Sequence, residues 1–237
     1  MLSSLRPRLY VLLLTVGILP SLGCGTIELP IDLALEQPSD LTLELPIFPP
    51  PFDLATTSLI GGVETTISTK IGLKELLGAL VGQAIPATID IDDILIAGTE
   101  ILIGGSLPTG TVCVFQDPVV ESGGTAAFNL LLGVAAFDMT LNTNLGVTDP
   151  FLGGLLGGPA AFAQEVSAMV PVSIGDMLAL LTGGGGGLAL TQEIDAEFGP
   201  VPILGTIHIT GTLTLASADA QPSDPLLDEC AAFVAGL

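Results

Sequence analysis

Positively charged residues are almost missing from this chain. Its 237 residues include four Lys or Arg against 25 Asp or Glu, which gives a formal net charge of −21. Nucleic-acid binding needs a basic surface, so this composition excludes it. Apolar residues make up 49%, whereas a disordered acidic chain would be poor in apolar side chains. We therefore expect a folded and unusually apolar protein.

The side chains that perform most enzyme chemistry are equally scarce. The sequence has one histidine, His208, three cysteines and no tryptophan. A serine or cysteine nucleophile needs a base beside it, and zinc needs several His or Cys ligands. His208 alternates with threonines, which is typical of a solvated strand position. We expect no enzyme activity, no cofactor and no metal site.

Carboxylates are the remaining route to chemistry. Asp90, Asp92 and Asp93 form the densest acidic group, but they lack the spaced ligands and the final glutamate of an EF-hand loop. The group therefore indicates a solvated strand edge rather than a calcium site. An enzyme that uses a carboxylate pair, such as a glycosidase, stays open as an alternative. The low aromatic content, 4%, argues against sugar binding by stacking.

The N-terminus has the organisation of an export signal. Arg6 and Arg8 precede an apolar run over 9–19, and Pro20 follows it. The run is too short for a membrane-spanning helix of about 20 residues, but its length suits the apolar core of a signal peptide. We expect residues 1–23 to be that signal peptide.

The exit of this segment, Ser-Leu-Gly-Cys at 21–24, resembles the signal of bacterial lipoproteins. Ser21 departs from that pattern, which prefers a large aliphatic residue there. The resemblance implies acylation of Cys24, export to the bacterial cell envelope (periplasmic or surface) and a membrane as one partner. Ordinary cleavage near Gly23 or Gly25, which would leave Cys24 as a free thiol, is the alternative.

The odd number of cysteines fits this interpretation. If Cys24 takes acyl chains, Cys113 and Cys230 remain as one pair. An oxidising compartment then favours a disulfide between them. Two buried free thiols are the alternative.

Alternation of apolar and polar residues predicts a chain that is mostly β-strand. The clearest strands are expected at 27–35, 41–47 and 206–215, and further ones at 59–69, 87–92, 94–103, 111–116, 125–145 and 188–198. Helices are expected at 73–81, 159–170, 174–182 and 225–234, the last capped by Ser223 or Asp224. The fold class is therefore mainly β with a few packing helices, as a curved antiparallel sheet or half-barrel covered by helices.

The expected domain organisation follows from these elements. Residues 1–23 are the signal peptide, and 24–56 hold extended strands and a proline-rich spacer. Residues 57–237 form a β-rich globular domain, which we expect to be one unit with 24–56.

An apolar cavity is the functional site that the sequence suggests. Its expected ligand-binding residues are Leu73, Leu77, Val81, Phe128, Leu130, Leu132, Lys70 and Lys74. The first three share one face of a helix over 70–82, which we expect to pack on the sheet and enclose the cavity. Phe128 to Leu132 belong to a strand segment that is apolar on both faces. An ordinary core strand, and surface lysines paired with Glu64 or Glu75, are the alternatives.

These features together predict an exported, membrane-tethered lipoprotein that binds or carries an apolar ligand such as a lipid, sterol or quinone. The lysines would meet an anionic headgroup at the cavity mouth. A structural or adhesive cell-surface protein without a ligand is the alternative. Protein partners are not indicated by any motif.

Overall fold

The computed structural model describes residues 25–37, 39–45, 52–98, 102–103, 107–108, 110–150, 153–154, 157–173, 175, 189–201, 205–218 and 222–237. These residues form a mostly antiparallel β-sheet with few helices, which confirms the expected class. The strands are β1 (Gly25–Leu35), β2 (Asp40–Leu45), β3 (Phe52–Ile71), β4 (Ile85–Gly98), β5 (Leu102–Ile103), β6 (Leu107–Pro108), β7 (Val112–Gln116), β8 (Gly123–Asn129), β9 (Val134–Val147), β10 (Ala160–Pro171), β11 (Ala189–Val201) and β12 (Gly205–Ala218). Helix α1 (Leu73–Leu80) follows β3, and helix α2 (Pro225–Ala235) follows β12.

Ten of the strands form one sheet in which every pairing is antiparallel. β1 and β2 occupy successive lengths of one position between β3 and β12. β7 and β8 share the position between β4 and β9 in the same way. The order across the sheet is therefore β11, β12, β1 with β2, β3, β4, β7 with β8, β9 and β10. β5 and β6 pair with each other in a separate two-stranded sheet.

The two interrupted positions are each held by one buried serine. Between β1 and β2, Ser39 Oγ donates to the carbonyl of Glu36 (2.6 Å) and accepts from the backbone N–H of Thr214 on β12 (2.9 Å). Between β7 and β8, Ser122 Oγ accepts from the backbone N–H of Asn142 on β9 (2.7 Å). In both places a side chain takes over a backbone hydrogen bond that an uninterrupted strand would have made.

A β-bulge in β4 lies at the acidic cluster. Asp92 is the extra residue, because the flanking Ile91 and Asp93 face consecutive residues of β3. Asp92 and Asp93 are both exposed, and the carboxylate of Asp92 accepts a hydrogen bond from Thr66 Oγ1 (2.7 Å). The bulge returns Ile94 to the buried face that Ile91 also shares. The strand expected at 87–92 and the first part of the one expected at 94–103 are therefore one bulged strand, β4, which ends at Gly98, whereas Leu102 and Ile103 belong to β5.

Helix α2 packs on the face of the sheet opposite the main core. The buried residues between this helix and the sheet form a second, smaller core, which includes Cys113. The neighbours of Cys113, Val112 and Val114, belong to the main core, as alternation along a strand requires. The expected disulfide is confirmed, with Cys113 and Cys230 bonded and their Cα atoms 5.5 Å apart. Asp224 caps the helix as predicted, because its carboxylate accepts from the backbone N–H of Leu226 (2.9 Å).

One expected helix is a strand instead. The segment 159–170 is almost wholly β10, in which buried Val166 and Val170 alternate with exposed residues. The alanines of the segment, and Pro159 at a first helical position, favoured a helix locally. Pairing along its whole length with β9 decides in favour of the strand. The helix expected at 174–182 lies outside the described residues except for residue 175.

The N-terminal strands belong to the main sheet. β3 crosses the expected boundary between 56 and 57, and β1 pairs with β3 over ten residues. Cys24 and the rest of the expected signal peptide lie outside the described residues.

Candidate functional site

A cavity of about 100 Å³ lies on the apolar face of the sheet. Strands β1, β2, β3, β4, β7, β9, β10, β11 and β12 all contribute side chains to its lining. β10 and β11 stand at opposite ends of the strand order, yet Val166 of β10 and Ile194 of β11 both line this cavity. The space is therefore surrounded by the sheet as a whole rather than by one pair of strands.

The lining is apolar because isoleucine, leucine and valine occupy the inward positions of successive strands. Four lining residues are polar, namely Thr65, Thr143, Gln164 and Gln192. The amide nitrogens of Gln164 and Gln192 donate to the carbonyls of Glu165 (3.2 Å) and Glu193 (2.9 Å) on their own strands. Among the described residues, no charged side chain lines the cavity. The site therefore suits a neutral apolar molecule and offers no partner for a buried charge.

The expected ligand-binding residues lie elsewhere. Leu73, Leu77 and Val81 are exposed along the outer stripe of α1, so the expectation that this stripe packs on the core was wrong. Among the α1 side chains whose burial the structure describes, Ala79, on the opposite side of the helix, belongs to the main core. A small side chain there lets the short helix lie close to the sheet, and it leaves the leucines outside.

The remaining expected ligand-binding residues also lie outside the cavity lining. Phe128 is buried in the main core, with its ring centroid 6.1 Å from that of Phe137 in an edge-to-face arrangement, but only Phe137 lines the cavity. Leu130 is half-buried and Leu132 is exposed in the turn after β8. Lys70 and Lys74 are both exposed. None of the eight residues lines the cavity, and their role in ligand binding stays a prediction.

The titratable groups do not gather into a reactive site within the described residues. His208 and Glu197 face each other on β12 and β11, with Nδ1 and Oε1 3.6 Å apart, and both are exposed. In the part of the chain that the structure describes, no group of three His, Cys, Asp or Glu side chains is close enough to hold a metal ion.

Asp117 has the clearest electrostatic perturbation. Its Oδ1 accepts from the backbone N–H groups of Val119 (2.8 Å) and Val120 (3.0 Å), and its Oδ2 accepts from Asn144 Nδ2 (3.2 Å). These bonds favour the ionised carboxylate and hold the pKa of Asp117 below the ordinary value of 3.8. The residue lies in the turn between β7 and β8 and outside the cavity lining, so the bonds fix a turn.

No known protein family, no curated protein and no solved structure matches this chain. In the described part of the chain, no helix combines the length and the apolar character needed to cross a membrane. Its function therefore has to follow from the cavity and the surface of this chain themselves.

The cavity residues were not predicted because the sequence pattern that marks them is spread over many strands. Each strand contributes a few inward positions, and the alternation of β3, β4, β9 and β12 contains that signal. Which inward positions meet around one space depends on the register between strands, which alternation alone does not give. The glutamines on β10 and β11 had no distinguishing pattern in the sequence.

Proposed function

We propose that this protein is an exported, membrane-tethered lipoprotein that binds or carries an apolar molecule in the sheet cavity. The observation behind the proposal is the uncharged, almost wholly apolar lining. Lining residues from both ends of the strand order support the finer expectation that the sheet curves as a half-barrel, with α1 and α2 as partial cover. Export is compatible with the Cys113–Cys230 disulfide.

The size of the cavity limits the ligand. A cavity of about 150 Å³ holds benzene, so one of about 100 Å³ has room for about four carbons. At roughly 0.8 kcal/mol per buried CH₂, four carbons contribute about 3 kcal/mol. Association costs about 4–15 kcal/mol. A chain of about ten carbons, worth about 8 kcal/mol, exceeds the lower part of this cost, and the cavity has to widen to admit it.

The boundary between β10 and β11 is where we propose that the cavity widens. Among the described residues these strands pair only with β9 and β12, so parting them breaks no described ladder hydrogen bond. Gln164 and Gln192 stand on the two strands and can bond a neutral polar group. A flexible long-chain lipid with an uncharged head fits these limits better than a rigid sterol or quinone.

The deciding experiment is a native mass spectrum of the protein purified from its membrane fraction, set against its denatured mass. We expect extra mass that dissociates on denaturation and equals one long-chain lipid. The Val166→Phe variant, which fills the cavity from β10, should lose this mass. Overpacking of this kind costs roughly 1–3 kcal/mol, so the variant should still fold.

The matched control is Ala163→Phe, on the same strand but exposed. It adds a ring outside the cavity and should keep the bound mass. Equal native and denatured masses for the unaltered chain, or equal loss in both variants, would contradict the proposal.

A structural or adhesive surface protein without ligand is the second candidate. The small cavity favours it, because a packed sheet with minor voids is enough for such a role. An empty native protein whose stability does not respond to added long-chain lipids would support this candidate instead.

A further inference from the structure

Five large apolar side chains are exposed together at one end of the sheet. Leu73, Leu77 and Val81 form the outer stripe of α1, and Leu131 and Leu132 lie in the turn between β8 and β9. Their exposed fractions run from 55% for Leu77 to 75% for Val81. We call this group the apolar tip. Clustered exposed apolar side chains usually mark an interaction surface.

The two segments of the apolar tip are held against each other. Asn129 Nδ2 donates to the carbonyl of Gly82, just after α1 (3.1 Å), and a Cβ placed on Gly82 would lie 3.3 Å from Leu131 Cδ2. The backbone N–H of Leu132 donates to Asn129 Oδ1 (3.0 Å), which fixes the turn. The five side chains therefore belong to one ordered surface.

The N-terminal segment of the chain joins the sheet at this same end. Gly25, the first described residue, pairs with Ile71 at the end of β3. Gly72, the N-cap of α1, follows directly. Cys24 directly precedes Gly25 in the sequence. Acyl chains on Cys24 would therefore leave the protein beside the apolar tip.

The charge of this end differs from the rest of the surface. Lys70 and Lys74 are the only Lys or Arg after residue 24, and both are exposed next to the tip. Among the described residues, neither forms an ion pair with a carboxylate. Two acidic residues lie near these lysines: Glu75 is next to Lys74 in sequence, and Glu28 faces Ser68, two residues before Lys70. The carboxylate of Glu75 accepts a hydrogen bond from the backbone N–H of Gly72. The remaining acidic surface is repelled by an anionic membrane, so the lysines favour approach by this end.

We infer that the apolar tip docks on a lipid bilayer, with the leucines and Val81 among the upper acyl chains and the two lysines at the headgroups. The inference rests on the proposed anchor at Cys24 for orientation, but it does not need a ligand in the cavity. A second copy of the chain would also cover the leucines, and the oligomeric state in solution distinguishes that case.

The absence of tryptophan from the chain allows a direct test. The full chain is reconstituted on vesicles of phosphatidylethanolamine and phosphatidylglycerol whose acyl chains carry bromine, which quenches tryptophan on contact. The reporters are the single-tryptophan variants Leu77→Trp and Leu132→Trp. The control is Val119→Trp, which is 86% exposed and lies beyond the far end of β8. β8 runs from 123 to 129, so the control stands about 20 Å from the tip.

Vesicle-bound Leu77→Trp and Leu132→Trp should lose fluorescence and shift to shorter emission wavelength, whereas Val119→Trp should do neither. Equal quenching in all three variants, or none in the tip variants, would overturn the inference, as would a chain that stays off the vesicles. Doubling of the mass in solution with an unquenched tip would assign the surface to a second copy. Failure of the ligand proposal is read separately, from the native mass spectrum.

Discussion

Removing the disulfide should cause a large loss of stability. Cys113 and Cys230 are 117 residues apart, and closing a loop of that length stabilises the fold by roughly 4–5 kcal/mol through the unfolded chain. Native proteins are stable by about 5–15 kcal/mol, so this bond is comparable to about a quarter or more of the total. We therefore expect reduction to cost about 4–5 kcal/mol of unfolding free energy and the Cys113→Ala, Cys230→Ala double variant to lose at least this much.

The measurement is urea unfolding followed by circular dichroism, with and without a reducing agent. Reduced wild-type protein keeps both buried sulfur atoms. The difference in unfolding free energy between it and the double variant therefore reports the loss of packing alone. Cys24→Ser, outside the loop, should leave the unfolding midpoint unchanged. A loss below about 1 kcal/mol on reduction would refute the reasoning, because it would mean that the bond does not restrict the unfolded chain.

Three further predictions concern single side chains. Asp117→Asn should make the unfolding free energy less dependent on pH in acid. The lowered pKa of Asp117 in the folded state contributes stability above the unfolded pKa, and this contribution is lost as pH falls below 3.8. Unfolding free energies measured from pH 6 to 2 check this. Gly61→Ala should destabilise the fold by about 1–3 kcal/mol and lower the melting temperature, since Gly61 has φ of +130° and a Cβ there would meet the carbonyl of Leu95. Gly154→Ala, in open space, should not change the melting temperature. Glu229→Ala should loosen α2, because this carboxylate accepts from Thr111 Oγ1 (2.9 Å) and Thr148 Oγ1 (2.7 Å); faster hydrogen exchange across α2 is the readout, and unchanged exchange would contradict it.

The fold class followed from the sequence because alternation with period two survives wherever one face of a strand is buried. The segments that became β1, β4 and β12 alternate in this way. β10 was misassigned because its alanines are good helix formers and its inward Gln164 broke the apolar pattern. Its strand form depends on pairing with β9, which is tertiary information.

The site could not be predicted to the same degree. The stripe of α1 has helical spacing, which indicates that its residues share a face but not which way that face points. The structure turns Leu73 and Leu77 outward and buries Ala79. A sequence rule that assigns the most apolar stripe to the core fails when the stripe has another partner, and we propose that the apolar tip is such a case.

Phe128 packs against the cavity lining and closely precedes the turn of the apolar tip. Phe137 lines the cavity, and Phe128 packs edge-to-face against it at 6.1 Å between ring centroids. Phe128 directly precedes Asn129, which donates a hydrogen bond to the carbonyl of Gly82, just after α1. We propose this end as a second route for an apolar molecule between a docked bilayer and the cavity, besides the boundary between β10 and β11.

Phe128→Leu should therefore speed the exchange of a fluorescent long-chain lipid between vesicles and the protein. The matched control is Phe115→Leu, because Phe115 makes an equivalent edge-to-face pair with Phe233 (6.3 Å) on the opposite face of the sheet. Each variant loses an aromatic pair worth about 0.5–1.5 kcal/mol, so general loosening of the fold is the same in both. Faster exchange in both variants, or in neither, would show that the ligand does not enter past Phe128 and would leave the boundary between β10 and β11 as the entrance.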